Sequence, residues 1–346
     1  MGKVEGRSTV YNDITSKEKL EKVNRDNLEL ESDFLEYLKA TDKAKSTIKQ
    51  YRNNLHIIWC WSLEYNENKA FTDFTKREIT KFQNNAINVW GWSPRRIRTV
   101  KATARSLENY IENMLDDEFP NYRAIWNKIA SPVNEEVRVK TVFKDEELKA
   151  LLNFLMKNKQ YMKACILALA MYSGKRKAEL TRFKVSYFED RNLICEGALY
   201  KTPEKMVTKG HGQRGKLLDV YILAKPFKPY FDAWMEERER LGIESEWLFP
   251  DMKNQNEHIE IPTMNSIAKT FSRLLKKPFY FHSVRHFWTT SMLEANLPEA
   301  VVQMICGWSS ADMLRLYDDR SNDSQLEKYF GAGGIKSIEQ TSLEDL

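Results

Sequence analysis

Apolar residues recur at helical spacing through the first third of the chain, and no convincing β-strand pattern appears before Ala130. The spacing predicts four helices, over residues 27–38, 46–63, 75–90 and 93–111. The start of the fourth helix is the clearest, because Ser93 is a good N-cap and Pro94 suits the first helical position. This pattern predicts a small all-helical bundle for the first domain.

The rest of the chain is predicted to form a second domain of helices around a small β-hairpin. Its strands are expected near 192–199 and 216–223, around a loop rich in glycine and lysine, and 247–249 is a candidate for a further short strand. The complete division is a polar N-terminal tail, the helical domain, a linker that contains Pro132, the second domain and a flexible C-terminal tail, over 1–26, 27–130, 131–144, 145–330 and 331–346. The predicted fold class is mainly α, with a small antiparallel β-hairpin or sheet in the second domain.

The composition is typical of a soluble globular protein of two domains. The 346 residues are 42% hydrophobic and 30% charged, and the longest apolar stretch, 164–172, is far too short to span a bilayer. The N-terminus lacks the apolar core of a secretory signal, so a cytoplasmic protein without a membrane partner is expected. The four cysteines form no CxxC pair, and we expect them to fill core positions instead of forming disulfides or a zinc site.

The helix that begins at Ser93 carries five basic residues and no acidic residue as far as Arg105. These residues are Arg95, Arg96, Arg98, Lys101 and Arg105. Cations near a helix start oppose the helix dipole, so a bound anion would stabilise them. DNA phosphate is the natural candidate, because binding it releases counterions, and a solvated basic face is the alternative. The net charge of +5 agrees only weakly with a polyanionic partner.

The segment MYSGKRKAEL, at 171–180, places Arg176 and Glu179 on one helix face. Glu179 can orient Arg176 through a charge-assisted hydrogen bond, which leaves the guanidinium fork available to hold a phosphate. A surface pair of arginine and glutamate would explain the same spacing, so the segment alone does not establish a site.

The segment HSVRH, at 282–286, places His282 and Arg285 on one helix face. An imidazole beside a guanidinium suits a site that binds a phosphate and moves a proton. His286 follows one turn after His282, and a packing or hydrogen-bonding role is favoured for it. Because no acidic residue lies between the two histidines, the pattern differs from HExxH, and no metal site is predicted.

The segment GWSSADMLRLYDD, at 307–319, contains a helix end, a helix start and a tyrosine. Gly307 is placed to end one helix, and Ser309 or Ser310 can cap the next, which would carry Tyr317 near its middle. Trp308 would then lie at the corner, where its indole N–H can reach an oxyanion. Taken alone, one tyrosine among fifteen is most simply structural.

The arginine, the HxxR, the GW and the tyrosine, in this order and at these spacings, resemble the tyrosine recombinase (phage integrase) family. The resemblance covers the second domain, from about 145 to 330, as the family's catalytic domain, and the first domain resembles its DNA-binding core-binding domain. It therefore implies a two-domain tyrosine recombinase architecture. The implied catalytic residues are Arg176, His282, Arg285, Trp308 and the nucleophile Tyr317, with Glu179 and His286 in support. Trp308 stands where a second histidine is usual, as in Cre-like members.

The resemblance also implies a catalytic lysine in the β-hairpin. Lys209, in the glycine-bearing turn TKGHGQRGK just before the second strand, is the first choice. Lys201, at the end of the first strand, is the alternative, because the loop is longer than usual and the pattern does not fix the register.

The function that the resemblance implies is that of a site-specific DNA recombinase, similar to an integrase or a transposase, that works through a 3′-phosphotyrosyl intermediate. Such an enzyme acts on double-stranded DNA as a homotetramer on two duplexes, without a cofactor or a metal. The alternatives are a type IB topoisomerase-like relaxer, a resolvase of one replicon, and a DNA-binding protein that has lost catalysis. The complete set of implied site residues argues against the loss of catalysis.

Overall fold

The computed structural model describes residues 10–133, 141–208, 215–308, 310–319, 330–331 and 334–335. They form two compact units: the described residues up to 133 belong to the first, and 141–208 with those from 216 onward belong to the second. The helices are α1 (Val10–Ile14), α2 (Lys17–Leu20), α3 (Arg25–Ala40), α4 (Lys45–Tyr65), α5 (Lys76–Asn88), α6 (Pro94–Met114), α7 (Asp145–Lys157), α8 (Tyr161–Ser173), α9 (Lys177–Leu180), α10 (Ala224–Arg240), α11 (Ile261–Leu275), α12 (Phe281–Glu294), α13 (Glu299–Cys306) and α14 (Ala311–Tyr317).

The strands are short and antiparallel, so the predicted fold class, mainly α with small antiparallel sheets, is confirmed. They are β1 (Leu193–Ile194), β2 (Leu199–Lys201), β3 (Met206–Thr208), β4 (Lys216–Leu218), β5 (Tyr221–Leu223), β6 (Phe330–Gly331) and β7 (Gly334–Ile335). β1, β2 and β5 form one sheet in that order, and β3 pairs with β4.

The first unit is a helical bundle, as the sequence predicts, and aromatic rings fill much of its core. Trp59, Trp61, Phe82 and Trp126 are completely buried in it, and the rings of Trp61 and Phe82 meet edge to face at 5.3 Å. Such pairs contribute stability beyond the area that they bury. Contacts between aromatic rings therefore stabilise the bundle.

Side-chain caps stabilise two helix starts in this unit, and the cap at Ser93 was predicted. The Thr75 backbone N–H donates to Glu78 Oε2 at 2.7 Å, and the Glu78 N–H donates to Thr75 Oγ1 at 3.3 Å, which closes a capping box at α5. At α6, Ser93 Oγ accepts the N–H of Arg96 at 3.3 Å. The predicted helices at 75–90 and 93–111 are confirmed to within a turn.

The polar N-terminal tail predicted for 1–26 is wrong for residues 10–26, which contain α1 and α2. Both helices lie against α4, and Ile14 and Val23 are buried in the core of the first unit. The Tyr11 hydroxyl lies 2.9 Å from His56 Nδ1. The polar composition suggested a tail, but a few apolar side chains in this stretch are enough to pack two short helices against the bundle. Residues 1–9 lie outside the described part of the chain.

The second unit is built around α8, which contains the longest apolar stretch of the sequence. Its residues from Ala164 to Met171 are at most 1% exposed, and α7, α10 and α12 pack around it. A helix that is apolar on all sides is stable only when it is enclosed in this way. The stretch that was too short to span a bilayer is therefore the central helix of this unit.

The predicted hairpin is present, but the structure corrects its strands. β2 pairs with β5, so that Lys201 lies opposite Tyr221, and the inner pair β3–β4 continues the hairpin. A single strand at 192–199 is wrong, because residues 195–197 have left-handed φ values and turn the chain between β1 and β2. The candidate strand at 247–249 is only an isolated bridge of Trp247.

The linker and the C-terminal tail are described only in part. The boundary between the two units falls within the predicted linker 131–144, of which 134–140 lie outside the described residues. Of the predicted tail 331–346, the structure describes Gly331 in β6 and the two residues of β7. Among the helices that the structure describes, none is both long and apolar enough to cross a lipid bilayer.

All four cysteines are free thiols, and three of them fill core positions as predicted. Cys60, Cys165 and Cys306 are buried, and burial raises the pKa of the Cys60 thiol to about 11. The prediction is wrong for Cys195, which is exposed because it lies in the turn between β1 and β2.

Glu108 on α6 is a buried carboxylate that holds the chain after this helix onto the bundle. Its side chain is fully buried, and Oε1 accepts the backbone N–H groups of Ile125 at 2.6 Å and Trp126 at 3.1 Å. The Tyr122 hydroxyl donates to the same oxygen at 3.3 Å. Burial raises the pKa of Glu108, although these donors oppose the rise. The carboxylate thereby places the Trp126 ring in the core.

We expect Glu108→Ala to lower the free energy of unfolding by roughly 2–4 kcal/mol, because the backbone N–H groups of Ile125 and Trp126 lose their acceptor. Glu118→Ala is the matched control, since Glu118 is exposed and its removal should change the free energy by less than about 0.5 kcal/mol. Urea denaturation followed by circular dichroism measures both variants. Equal stability of Glu108→Ala and the wild type would contradict the role of this carboxylate.

Candidate active site

The corner between α8 and α9 fixes one partner of the predicted site. Gly174 ends α8 with a φ of +60°, and a Cβ at this position would lie 2.5 Å from Cδ2 of Trp288. Only glycine allows this approach without a shift of the indole. The Gly174 carbonyl accepts a hydrogen bond from Arg285 Nη1 at 2.9 Å. The close packing of this corner therefore positions a guanidinium.

Arg176 follows the corner and is oriented by Glu179, as predicted. Arg176 Nη1 donates to Glu179 Oε1 at 3.0 Å, and the Arg176 backbone N–H donates to Oε2 at the same distance. Burial alone would raise the pKa of Glu179, but the Arg176 N–H and the charges of Arg176 and Lys175 outweigh it and lower that pKa. The Arg176 side chain stays 24% exposed, so its remaining N–H groups can meet a ligand.

Arg285 on α12 is almost completely buried, with 1% of its surface exposed. Besides the bond to Gly174, its Nη2 donates to the Cys306 carbonyl at 3.0 Å, and its Nε has no hydrogen-bond partner among the described residues. Burial lowers the pKa of this guanidinium, and the nearby charge of Arg176 acts in the same direction. An arginine nevertheless stays charged in a protein, so this buried cation favours an anion beside it.

Trp308 lies at the corner after α13, where the hairpin meets the site. Gly307 ends α13 with a φ of +69°, and a Cβ there would lie 2.0 Å from Cδ1 of Leu218 on β4. The Trp308 ring is buried, with its centroid 5.1 Å from Cζ of Arg285. Its Nε1 is a buried donor without a hydrogen-bond partner among the described residues. The indole is therefore available to an oxyanion, as the sequence predicts.

Four of the other predicted side chains lie around the Tyr317 ring. Its ring centroid lies 4.4 Å from that of His286, 4.7 Å from that of Trp308 and 5.1 Å from that of His282. Cζ of Arg285 lies 5.6 Å from the same ring. Ser310 caps the helix, which resolves the predicted alternatives, but Tyr317 is the last residue of α14 and not near its middle. The helix ends there because the backbone of Asp318 is extended, with a ψ of 107°.

The two histidines have different environments. His286 stacks on Tyr317, and its Nδ1 lies 3.2 Å from Asp319 Oδ2, which agrees with the predicted packing role. His282 is exposed, one turn earlier on α12, so it can reach both Tyr317 and a ligand. In the parts of the chain that the structure describes, no group of three or more His, Cys, Asp or Glu side chains is placed to hold a metal ion.

The catalytic lysine stays a choice between two residues. Lys209 lies outside the described residues. Lys201 is the last residue of β2, its side chain is 41% exposed, and its Nζ lies 3.8 Å from Asp219 Oδ2. An exposed ion pair of this kind leaves the ammonium free to move.

The basic helix α6 does not present all five of its predicted DNA contacts. Arg95, Arg98 and Arg105 are exposed, although Arg98 Nη2 also donates to the Pro132 carbonyl at 2.9 Å. Arg96 is half-buried, with Cζ 5.1 Å from the Trp92 ring centroid. The exposed face that can meet a phosphate is therefore smaller than the sequence indicates.

The prediction that Lys101 contacts DNA is wrong. Its side chain is 4% exposed, and its Nζ donates to Gln83 Oε1 at 3.0 Å and to the Ile129 carbonyl at 2.6 Å. Burial lowers the pKa of this amine, and the charges of Arg105 and Arg98 act in the same direction. Lys101 holds the first unit together and is not a surface contact.

Several residues that position the site had no signal in the sequence. The Gln303 carbonyl accepts the Trp308 N–H at 3.1 Å, and Gln303 Nε2 donates to the Trp308 carbonyl at 3.3 Å. Thr290 Oγ1 donates to the Tyr317 carbonyl at 3.4 Å. Lys175 is buried, with Nζ 2.8 Å from the Ile305 carbonyl. Nearness to a motif is the only clue that could have found them.

A recombinase-like protein is similar in sequence to a large part of this chain. The SPbeta prophage-derived recombinase-like protein YomM of Bacillus subtilis (strain 168) is 29% identical over 236 residues, which are 66% of this chain and 66% of that protein. The chain thus spans just under two thirds of the length of this relative.

Two solved recombinase structures are similar in fold. The XerH site-specific recombinase bound to palindromic difH substrate, in a post-cleavage complex, matches with a TM-score of 0.63 and 17% identity, over 82% of this chain and 78% of that chain. The Tn1549 transposon integrase in complex with circular intermediate DNA matches with a TM-score of 0.60 and 14% identity, over 86% of this chain and 98% of that chain. At these identities the likeness shows the fold alone.

A family model matches the whole region in which the site lies. The model of the phage integrase family covers residues 141–323, which are more than half of the chain. This range includes the residues around Tyr317 as well as Arg176 and Glu179. The chain belongs to the phage integrase family, the tyrosine recombinases.

Proposed function

We propose that the protein is a site-specific DNA recombinase that cleaves and rejoins DNA through a 3′-phosphotyrosyl intermediate on Tyr317. The convergence of three side chains on the Tyr317 ring carries this proposal, and these are His282, Trp308 and Arg285. Membership of the phage integrase family supports it. An imidazole, an indole donor and a guanidinium around one phenol suit attack on a phosphate.

In the proposed cleavage, Tyr317 is the nucleophile. Its phenol oxygen forms a bond to the scissile phosphorus while the bond from phosphorus to the 5′-oxygen breaks. His282 assists as a general base that takes the phenol proton, or as a hydrogen-bond donor. Lys209 or Lys201 protonates the departing 5′-oxygen. The products are a 3′-phosphotyrosyl link and a free 5′-hydroxyl.

Rejoining is the reverse of this step. The phosphotyrosyl link conserves the energy of the broken phosphodiester bond, so a 5′-hydroxyl from a second DNA end can attack it and release Tyr317. No ATP and no metal ion enters the proposed sequence. The exchange therefore needs only that the correct DNA end reaches the link.

The two arginines would bind the non-bridging oxygens of the scissile phosphate. A guanidinium has five N–H donors, and Arg285 uses two of them on the carbonyls of Gly174 and Cys306. The others, with the indole N–H of Trp308 and the remaining donors of Arg176, can bind the charge that develops in the transition state. Fixed donors in a buried site stabilise that charge more strongly than water does.

The proposal extends to double-stranded DNA as the substrate and to a tetramer on two duplexes. The XerH structure is bound to difH substrate, and the Tn1549 integrase structure contains circular intermediate DNA. We further propose action in the cytoplasm on a mobile element, as an integrase or transposase, because the relative YomM is prophage-derived. A strand-transfer assay with defined DNA ends separates this function from that of a type IB topoisomerase-like relaxer.

We expect Tyr317→Phe to abolish the covalent protein–DNA complex and to leave DNA binding nearly unchanged, because only the nucleophilic oxygen is removed. The protein is incubated with labelled genomic fragments, and denaturant then stops the reaction. The labelled protein reports the covalent complex, and sequencing of the attached DNA reports the DNA site. Tyr65→Phe, at an exposed tyrosine of the first unit, is the control and should form the complex like the wild type. Complex formation by Tyr317→Phe would assign the nucleophile to another residue.

The exposed arginines of α6 are proposed contacts with DNA phosphates. Changing Arg95, Arg98 and Arg105 together to Gln should weaken binding to all sequences and reduce the salt slope by roughly one unit for each phosphate that the variant no longer binds. Fluorescence anisotropy over a range of salt concentrations measures this slope. A control with the exposed Lys22, Lys39 and Lys43 changed to Gln removes the same charge. Equal slopes for the two variants would place the DNA-binding surface elsewhere.

The choice between the two lysines can be tested with a leaving group that needs no proton. On normal DNA, Lys209→Ala should cleave more slowly than the wild type by a factor of ~10²–10⁴, as expected when a general acid is removed. On DNA with sulfur at the scissile 5′-bridging position, it should recover much of that rate, because the thiolate leaves without a proton.

Arg285→Ala is the control for this test and should not recover, because its side chain can no longer bind the phosphate. Single-turnover cleavage rates on the two substrates decide the assignment. Recovery by Lys201→Ala, together with wild-type behaviour of Lys209→Ala, would assign the general acid to Lys201.

A further inference from the structure

Lys175 is a buried lysine beside the active site that the proposed chemistry does not use. Its side chain is 2% exposed, and its Nζ donates to the Ile305 carbonyl at 2.8 Å, across 130 residues of sequence. Ammonium groups are rarely buried so completely, because they lose strong hydration when they leave water. A contact made at such a cost calls for a functional reason.

The contact places a second cation at the carboxyl end of α13. Arg285 binds the Cys306 carbonyl and Lys175 binds the Ile305 carbonyl, and these residues end the helix. Positive charge at this end complements the helix dipole and satisfies carbonyls that lack a partner within the helix. Gly307 follows directly, so the two cations together fix where the chain leaves α13.

We propose that Lys175 is a positioning residue for DNA cleavage, whose ammonium holds the end of α13 and thereby sets Trp308 against Tyr317. The connection is short, because Trp308 is three residues after Ile305 and its ring centroid lies 4.7 Å from that of Tyr317. This inference rests on the proposed function, since it assigns Lys175 a part in the reaction of Tyr317.

The charged and titratable groups that face Lys175 come from α9 and its N-cap, α12 and α13. Burial, together with the charges of Arg285 and Arg176, lowers the pKa of the amine to about 8, although Glu179 and Cys306 oppose this fall. An ordinary lysine keeps its charge to about pH 10. The hold on α13 is therefore charge-assisted near neutral pH and weaker in mildly alkaline solution.

The lowered pKa also means that the charge of Lys175, although it holds α13, lowers the stability of the folded protein. Between about pH 8 and about pH 10, the unfolded chain binds a proton that the folded protein has lost, so stability rises with pH there. Below this range the folded protein carries the full cost of a buried ammonium. An apolar side chain of similar length avoids that cost. Lys175 should thus lower stability while it favours cleavage, which a merely structural residue would not do.

Single-turnover cleavage by Lys175→Met tests the inference. The substrate is a duplex of the sequence recovered from the wild-type covalent complex, with sulfur at the scissile 5′-bridging oxygen so that titration of the general acid does not enter. At about pH 7, Lys175→Met should cleave roughly tenfold more slowly than the wild type, the effect of losing one charge-assisted hydrogen bond. The ratio of the two rates should rise toward one by about pH 9, where the wild-type amine is largely neutral.

Thermal unfolding at about pH 7 should show Lys175→Met to be at least as stable as the wild type. Lys157→Met, at an exposed lysine of α7, is the matched control, and its rate should equal that of the wild type at each pH. Lys175→Gln keeps a hydrogen-bond donor without the titrating charge, and its rate ratio should rise over the same pH range. It replaces the methionine variant if that variant does not fold.

A rate ratio that stays constant with pH would overturn the positioning role, as would wild-type cleavage by Lys175→Met at about pH 7. Failure of the proposed function is distinguishable from these results. It would appear as the absence of any covalent complex with the wild type, and the inference on Lys175 would be withdrawn with it.

Discussion

The buried guanidinium of Arg285 is the interaction on which the site of the second unit depends. It donates to the carbonyl of Gly174 at the end of α8 and to that of Cys306 at the end of α13, so three helices meet at one side chain. Each of these carbonyls ends a helix and lacks a partner within it. Because the guanidinium is planar and rigid, it fixes the two helix ends more closely than a flexible ammonium would. The protein's own hydrogen bonds therefore fix the position of Arg285 and of both helix ends.

The same arrangement gives the site more positive than negative charges. Arg176, Lys175 and Arg285 lie near one carboxylate, that of Glu179, and Arg176 and Lys175 help to lower its pKa against the effect of burial. Removing these charges from water destabilises the folded protein, and a scissile phosphate would offset part of that cost. The negative charge of the transition state is greater than that of the phosphodiester, so fixed cations favour the reaction over simple binding. Under the proposed function, the site would give up stability for electrostatic preorganisation.

The features that could be predicted from the sequence are those that depend on local chemistry. Ser93 marks the start of α6 in any tertiary context, and the order of the active-site motifs identified the family. The failures depend on distant partners or on backbone conformation. In the sequence, Lys101 is one of five basic residues of α6, and only the folded unit shows that it is buried. Lys175 was likewise not distinguishable among the 54 basic residues of the chain. The strand at 192–199 failed because residues other than glycine adopt left-handed φ in its turn.

The position of Tyr317 depends on contacts outside its own helix. α14 has seven residues and would not be stable alone, and Tyr317 is its last residue. The ring is held by His286, which stacks on it at 4.4 Å, and the Tyr317 carbonyl accepts a bond from Thr290 Oγ1 at 3.4 Å. Both partners lie on α12, the helix that also carries Arg285. Tyr317, the proposed nucleophile, is thus held by the helix that carries Arg285, the proposed phosphate ligand. In-line attack would require such a constant distance between the two side chains.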